Sequence, residues 1–435
     1  MKRIAVIAEF NPFHTGHAWL LSQVRQQAGS PSLIMVIMSG SFVQRGEPAL
    51  FDKWHRAAWA VQGGADMVFE LPAVYSLSSA DGFAQGGVAL AARLGCTHLA
   101  CGVERGTAAD FYALARAAKE VRPCTGRETA GRMQTMAMAS RIPEETASLL
   151  EEPNALLAAA YVKAIVQQDL SLQFWPVLRQ GSHDDPSLLQ PFASASALRR
   201  ELLHSGSSRH LRRYLTPEAV KDIDALLLRG AYTNYDRYGD FILLQNRLLT
   251  PDALCRLPAF NEGLENRWYR CMQESVTYKE ALAAIKTRRY AYSRLCRMGA
   301  YTLLSPSRHL MDQSYEQGPQ YARLLALSRN ASPYIKEIKN RLPVITRITA
   351  AGSLSPLGRE QLAECCRQAG EAGVVEIANY NCPTQLVIAG DAAAVEKAGE
   401  LALQAGAKRV VPLKVSGPFH TSLMAPAGEA FAEKF

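Results

Sequence analysis

Ile4-Ala5-Val6-Ile7-Ala8-Glu9-Phe10-Asn11-Pro12-Phe13-His14-Thr15-Gly16-His17-Ala18-Trp19-Leu20 is the stretch whose reading decides the fold. Ile4 to Phe10 has the length and apolar content of a buried strand, Asn11-Pro12 is turn chemistry, and from Thr15 to about Gln27 apolar residues recur at helical spacing until Gly29. Outward from it the alternation continues. Ser32 to Met38 reads as a second strand, Lys53 to Gln62 as a helix ended by Gly63-Gly64, and Asp66 to Leu71 as a third strand stopped by Pro72. A Gly-rich helix near Asp81 to Leu94 and a strand near Thr97 to Cys101 follow. Such repetition predicts an α/β fold with a parallel, Rossmann-like sheet whose ligands bind at the carboxyl ends of its strands.

Phe111 to Gln168 reads as mostly helical, Gln173 to Leu178 as the strand that closes the sheet, and Arg179 to Pro191 as a loop. Residues 197–330 carry little β-branched alternation and many helix-period segments, which predicts a mostly helical domain. Beyond the turn-like Ala351-Gly352-Ser353-Leu354-Ser355-Pro356, a small α+β (ferredoxin-like) fragment is expected. The expected domains are 1–204, 205–350 and 357–435; at 435 residues, several separate cores are the natural solution.

A formal charge of +8 favours a polyanionic partner without proving one. The nine cysteines form no C-x-x-C pair, so neither a zinc site nor a redox pair is expected. The apolar stretch at the amino terminus is too short for a signal segment and no run is long enough to span a membrane, which predicts a cytoplasmic protein with no membrane partner.

His14-Thr15-Gly16-His17 lies between the first strand and the first helix. Two imidazoles three residues apart at a helix start share a face, the helix terminus adds free N–H groups, and Gly16 allows close approach. Together they suit the phosphates of ATP and negative charge developing on the α-phosphate, met by imidazolium and N–H groups. Phe192-Ala193-Ser194-Ala195-Ser196-Ala197-Leu198-Arg199 opens a later helix, where Ser194, Ser196 and Arg199 suit the β- and γ-phosphates. Arg267 to Arg297 interleaves basic residues with Tyr269, Tyr278, Tyr290 and Tyr292; that pattern suits a folded RNA, or a solvated charged face with tyrosines in the core.

The run Ala8 to His17, followed by Met38-Ser39-Gly40-Ser41-Phe42-Val43-Gln44-Arg45-Gly46-Glu47-Pro48-Ala49, resembles the tRNA(Met) cytidine acetate ligases of the HxGH nucleotidyltransferase superfamily. Ordered matches continue through Lys53-Trp54 with Arg56, Glu70-Leu71-Pro72, Cys101-Gly102 before Glu104, Pro153-Asn154, Arg179 before His183-Asp184, and Lys286-Thr287-Arg288-Arg289-Tyr290 with Arg294 and Arg297, covering about residues 1–350. The resemblance implies that acetate attacks ATP to give acetyl-adenylate and pyrophosphate, and that N4 of the wobble cytidine of elongator tRNA(Met) then takes the acetyl group. It implies His14 and His17 as catalytic and Ile7, Ala8, Glu9, Phe10, Asn11, Pro12, Phe13, His14, Thr15, Gly16, His17, Ala18, Trp19, Leu20, Gly102, Asn154 and Arg179 as ATP-binding, joined by Ser194, Ser196 and Arg199. Lys286, Arg288, Arg289, Arg294 and Arg297 are the expected tRNA-binding residues. Mg²⁺ is expected with ATP, although no carboxylate cage for a metal is visible. The HxGH element alone also permits a small-molecule adenylyltransferase.

From about Leu357 the chain resembles malonyl-CoA:acyl-carrier-protein transacylases, through Val375 to Gly390 and Ala407 to His420. In that family the histidine at the position of His420 activates a serine on a G-x-S-x-G elbow, and the chain contains no such elbow. The stretch is therefore expected to be an incomplete remnant that performs no acyl transfer and packs poorly. A transacylase is the alternative function from another reaction class.

Overall fold

Strand β1 (Lys2–Ala8) forms the centre of the sheet, with β2 (Ser32–Ser39) on one side and β4 (His98–Val103) on the other, both parallel to it. The computed structural model describes residues 1–120, 142–179, 192–261, 263–346, 356–382, 385–405, 407, 409–413, 417–418 and 420–432. It divides into two compact units, Met1–Leu342 and Pro343–Phe435. Within the first, the strand order is β5-β4-β1-β2-β3-β6, with β3 at Met67–Leu71, β5 at Gln173–Leu178 and β6 at Ala322–Leu327. All pairings are parallel except β3 with β6.

The chain runs outward from β1 through β2 to β3 and returns to β4 on β1's other flank, so the strand order reverses between β1 and β4. In open α/β sheets the crevice for ligands lies at the carboxyl ends of such a pair. The helix α1 (Thr15–Ala28) connects β1 to β2, α2 (Lys53–Gln62) connects β2 to β3, and Ala80–Arg93 precedes β4. β1 and β2 are continuously apolar because helices cover both faces, and Ile4, Val6, Ile34, Val36 and Met38 join Phe10, Phe13, Phe51 and Trp59 in one buried core.

Within the stretch 205–350, mostly helical as expected, strand β6 is an element the sequence did not reveal. Ala322-Arg323-Leu324-Leu325-Ala326-Leu327 has no β-branched residue, and pairing with the free edge of β3 overrides its propensity. The rest of 195–317 is helical, with helices Ala195–Ser205, Pro217–Leu228, Tyr235–Leu248, Leu264–Glu274, Tyr278–Ile285, Tyr292–Leu304 and Arg308–Gln317. Buried Asn246 locks three of them: its Nδ2 donates to the Thr302 hydroxyl at 2.8 Å and its Oδ1 accepts from Trp268 Nε1 at 2.7 Å.

The second unit contains helix Pro356–Ala369, an antiparallel pair Val375–Cys382 and Gln385–Gly390, and helix Ala392–Gln404. It begins before the expected start at 357. The turn at Ala351 to Ser355, the loop 180–191 with His183-Asp184, part of the helical stretch (121–141), and Pro383, Thr384, Lys408, Val415, Ser416 and Phe419 lie outside the described residues. Among the described residues no helix is long and apolar enough to cross a membrane.

Candidate active site

Beyond β1 the backbone turns sharply at Phe10, whose φ of 47° is unusual for a bulky residue and costs about 1–3 kcal/mol, so it persists only where the surroundings impose it. They do. Phe10 is buried, packs edge-on against Phe13 with ring centroids 4.9 Å apart, and lies 4.7 Å from the His17 ring. The Asn11 side chain accepts from the Leu50 N–H at 2.8 Å, and its carbonyl accepts from Arg199 Nη1 at 2.7 Å.

His14 is the N-cap of α1. Its Nδ1 accepts from the Gly16 N–H at 3.1 Å, while Nδ1 of His17 accepts from the His14 N–H at 3.3 Å, and the rings lie 3.7 Å apart. A Cβ on Gly16 would stand 2.9 Å from His14 Cε1, so the His14 ring can fold over the helix start only above a glycine. Burial, followed by the nearby Arg179 charge, pushes the His14 pKa down to about 3. Burial, then His14 and Arg179, hold His17 well below its usual value. Both rings are therefore held in the neutral form at pH 7 without ligand; the expected imidazolium concerns the nucleotide-bound state. Because each Nδ1 accepts, each proton sits on Nε2; the first N–H groups of α1, expected from the sequence to be free, are engaged, Thr15 with the Tyr214 carbonyl, Gly16 with His14 Nδ1, and His17 and Ala18 with the His14 carbonyl.

Arg179 follows β5, donates from Nη1 to Asn154 Oδ1 at 3.2 Å, and passes beside Gly102, where a Cβ would lie 3.2 Å from its Cγ. Asn154 is fixed by Glu104, whose carboxylate accepts from the Asn154 and Ala155 N–H groups at 3.2 and 3.1 Å. Thus His14, His17, Gly102, Asn154 and Arg179, distant in sequence, meet where the strand order reverses.

Ser194 caps helix Ala195–Ser205 by accepting from the Ala197 N–H at 3.2 Å, and its hydroxyl lies 3.1 Å from that of Ser196. Phe192 stands over Gly16, its Cδ1 3.6 Å from where a Cβ would be. Arg199, expected on a phosphate, ties its helix to the Asn11 carbonyl through Nη1. Ile7, Pro12 and Phe13 are buried, the Thr15 N–H donates to the Tyr214 carbonyl at 2.8 Å, and Ala8, Ala18, Trp19 and Leu20 pack against the core.

Arg56 matched the family pattern but was assigned no role. It is 0% exposed and donates to four carbonyls: Phe51 at 3.0 Å, Glu9 at 2.6 Å, Ser39 at 3.1 Å, and Gly40. Burial lowers its pKa to about 10, so it remains a cation that staples the carboxyl ends of β1 and β2. A single arginine on the apolar face of α2 was the signal in the sequence.

The basic segment divides in two. Lys286, Arg288 and Arg289 are exposed between helices Tyr278–Ile285 and Tyr292–Leu304. Arg294 donates to Asn261 Oδ1 at 2.8 Å and Arg297 to the Gln44 carbonyl at 3.3 Å, so both also brace the fold. Gly46 shows how closely that loop approaches the second helix: its φ is 89° and a Cβ would fall 2.3 Å from the Arg297 nitrogen. Of the tyrosines, Tyr290 is buried, Tyr269 and Tyr278 pack against the helical core, and Tyr292 is half-exposed. His420, in the second unit, is exposed with φ 64°. Among the described residues no group of three His, Cys, Asp or Glu side chains could hold a metal ion.

The family model for HIGH nucleotidyl transferases matches residues 1–373. The tRNA(Met) cytidine acetate ligase of Leuconostoc mesenteroides is 32% identical over 398 residues, covering 88% of this chain and 97% of that protein. The chain belongs to the tRNA(Met) cytidine acetate ligase family. The ligase of Lactobacillus gasseri is 33% identical over 362 residues, covering 82% and 92% of the two chains. Among solved structures, Thermotoga maritima TmcAL bound with alpha-thio ATP superposes with a TM-score of 0.74 at 27% identity, covering 81% of this chain and 87% of that one. The transacylase resemblance of residues 357–435 finds no support in these comparisons, and the family match crosses the expected junction to reach residue 373.

Proposed function

We propose that this chain activates acetate with ATP and transfers the acetyl group to N4 of the wobble cytidine of elongator tRNA(Met). The observation that carries this reading is the His14–His17 pair, each Nδ1 engaged as an acceptor at the start of α1, in a chain a third identical to curated tRNA(Met) cytidine acetate ligases. In the first step an acetate oxygen bonds to the α-phosphorus of ATP and pyrophosphate leaves. Negative charge grows on the phosphoryl oxygens, where the imidazole N–H groups and the Arg179 guanidinium are stabilising; one such donor is worth roughly 10²–10³ in rate. In the second step the cytidine amine attacks the acetyl carbonyl and AMP leaves.

Arg179 and Asn154 hold the nucleotide in this reading, and Gly102 leaves room for it. Ser194 and Ser196 serve the outer phosphates together with the N–H groups of their helix. Mg²⁺ would supply charge neutralisation on the triphosphate, and among the described residues no group of three His, Cys, Asp or Glu side chains would hold it. Lys286, Arg288 and Arg289 contact tRNA phosphates, with Arg297 linking that surface to the 41–49 loop and Arg294 to Asn261, and the reaction belongs to the cytoplasm, where tRNA is found. The helical segment of 205–317 is the tRNA-binding part in this reading.

The test incubates the full chain with ATP, labelled acetate and elongator tRNA(Met), then digests the tRNA to nucleosides. The reading requires label in N4-acetylcytidine; adenylate release with no labelled nucleoside would point to a small-molecule adenylyltransferase instead.

A further inference from the structure

We infer that Glu9 is the general base of the acetyl-transfer step, accepting the proton that the attacking amine loses as it is acylated; this rests on the proposed function. Glu9 directly follows β1, five residues before His14, at the carboxyl end of the central strand. Two contacts fix it. Its Oε1 accepts from the Gln44 N–H at 2.7 Å, and its backbone carbonyl accepts from Arg56 at 2.6 Å. The residue as a whole is only partly buried, while its carboxyl group lies deep enough for burial to dominate its titration.

An ionised carboxylate accepts hydrogen bonds and donates none, and it repels both a triphosphate and acetate. It is the wrong group to bind either substrate of the first step and the right one for an N–H. The first step needs no base, because acetate attacks as an anion. The second does: the N4 lone pair forms the C–N bond, the acetyl C–O bond to AMP breaks with its electron pair leaving on AMP, and the N–H proton passes to Glu9 and then to solvent.

Charged and titratable groups face Glu9 from several elements. Arg56 on α2, Arg199 on helix Ala195–Ser205 and Arg45 in the loop after β2 favour its ionised form, as does the Gln44 N–H. The Tyr161 hydroxyl, from helix Pro153–Gln167, lies within electrostatic range of Glu9 and of Cys101 on β4. Burial opposes the cations and prevails, raising the Glu9 pKa above its ordinary value, in the direction that strengthens a carboxylate base.

The experiment separates the half-reactions in the full chain. Glu9→Gln keeps an acceptor for the Gln44 N–H. Because the resemblance also places Glu9 beside the nucleotide, the reading is the ratio of the two half-reactions: we expect acetyl transfer to tRNA(Met) to fall on the order of 100-fold or more relative to acetate-dependent ATP–pyrophosphate exchange, with acetohydroxamate still formed when hydroxylamine replaces tRNA. Transfer by the unaltered chain should rise with pH as Glu9 ionises, and the Glu9→Gln profile should lose that limb. Undiminished transfer by Glu9→Gln overturns the inference. So does loss of exchange together with transfer, which would assign Glu9 to the ATP or acetate site. Absence of acetate-dependent exchange in the unaltered chain would instead refute the functional reading, and the inference with it.

Discussion

The two compact units differ in what they bury. Among the described residues, Trp59, Trp268, Phe10, Phe13, Phe51 and Phe69 are enclosed in the first, whereas the buried cluster of the second is Cys366, Ala369, Val375, Ala394 and Ala398. A buried aromatic side chain removes about 150–250 Å² from water, which at roughly 25 cal/mol/Å² is about 4–6 kcal/mol. An alanine contributes a small part of that. The difference teaches where a site held to fractions of an ångström can be built. Phe10 keeps its strained backbone, and His14 its ring over Gly16, because a large aromatic core surrounds them.

Replacing Arg56 attacks the comparison at the first unit's strongest point. Arg56→Met leaves the carbonyls of Phe51, Glu9, Ser39 and Gly40 without their donor, and should destabilise that unit by about 3–5 kcal/mol in denaturant unfolding. An unchanged midpoint would mean the staple is dispensable.

The next effect is on stability against pH. His14 is neutral in the folded state, with its pKa lowered to about 3, and takes up a proton near its ordinary value of 6.5 once unfolded. The unfolded chain therefore binds more protons between those limits. The contribution of His14 is fully present above about pH 6.5 and lost as pH falls towards 3. His14→Gln should flatten that slope; an identical slope would place the dependence elsewhere.

Charge on the exposed turn is expected to matter less, and only for the macromolecular substrate. Replacing Lys286, Arg288 and Arg289 by alanine should raise the KM for tRNA on the order of 10-fold and make its salt dependence shallower, leaving acetate-dependent exchange untouched. An equal loss in both assays would show that the turn supports the fold instead. The smallest effect is expected in the second unit. Limited proteolysis should cut within Pro343–Phe435 before the first unit, and removing residues 374–435, beyond the family match, should leave exchange unchanged. Protease resistance equal to the first unit's would erase the contrast.

Where local pattern and tertiary role agree, the sequence was sufficient. The β1-turn-α1 segment and the limits of α2 follow from apolar spacing, Asn11-Pro12 and Gly63. Strand β6 was hidden because only the exposed edge of β3 makes its Ala/Leu run a strand. The two histidines were legible as a pair, but their neutrality was not, since it depends on burial and on Arg179, which arrives from 162 residues further along the chain. Arg294 and Arg297 read as exposed cations until the loop around Gln44 and the Asn261 side chain are seen against them. Arg56 carried a signal that needed the carboxyl ends of β1 and β2 to interpret.

The central claim is that the His14–His17 pair drives acetate activation, and acetate-dependent exchange of labelled pyrophosphate into ATP tests it most directly. The account predicts exchange that requires acetate and falls at least on the order of 10³-fold when both histidines become alanine. Exchange that persists in the double variant, or that needs no acetate in the unaltered chain, would contradict it.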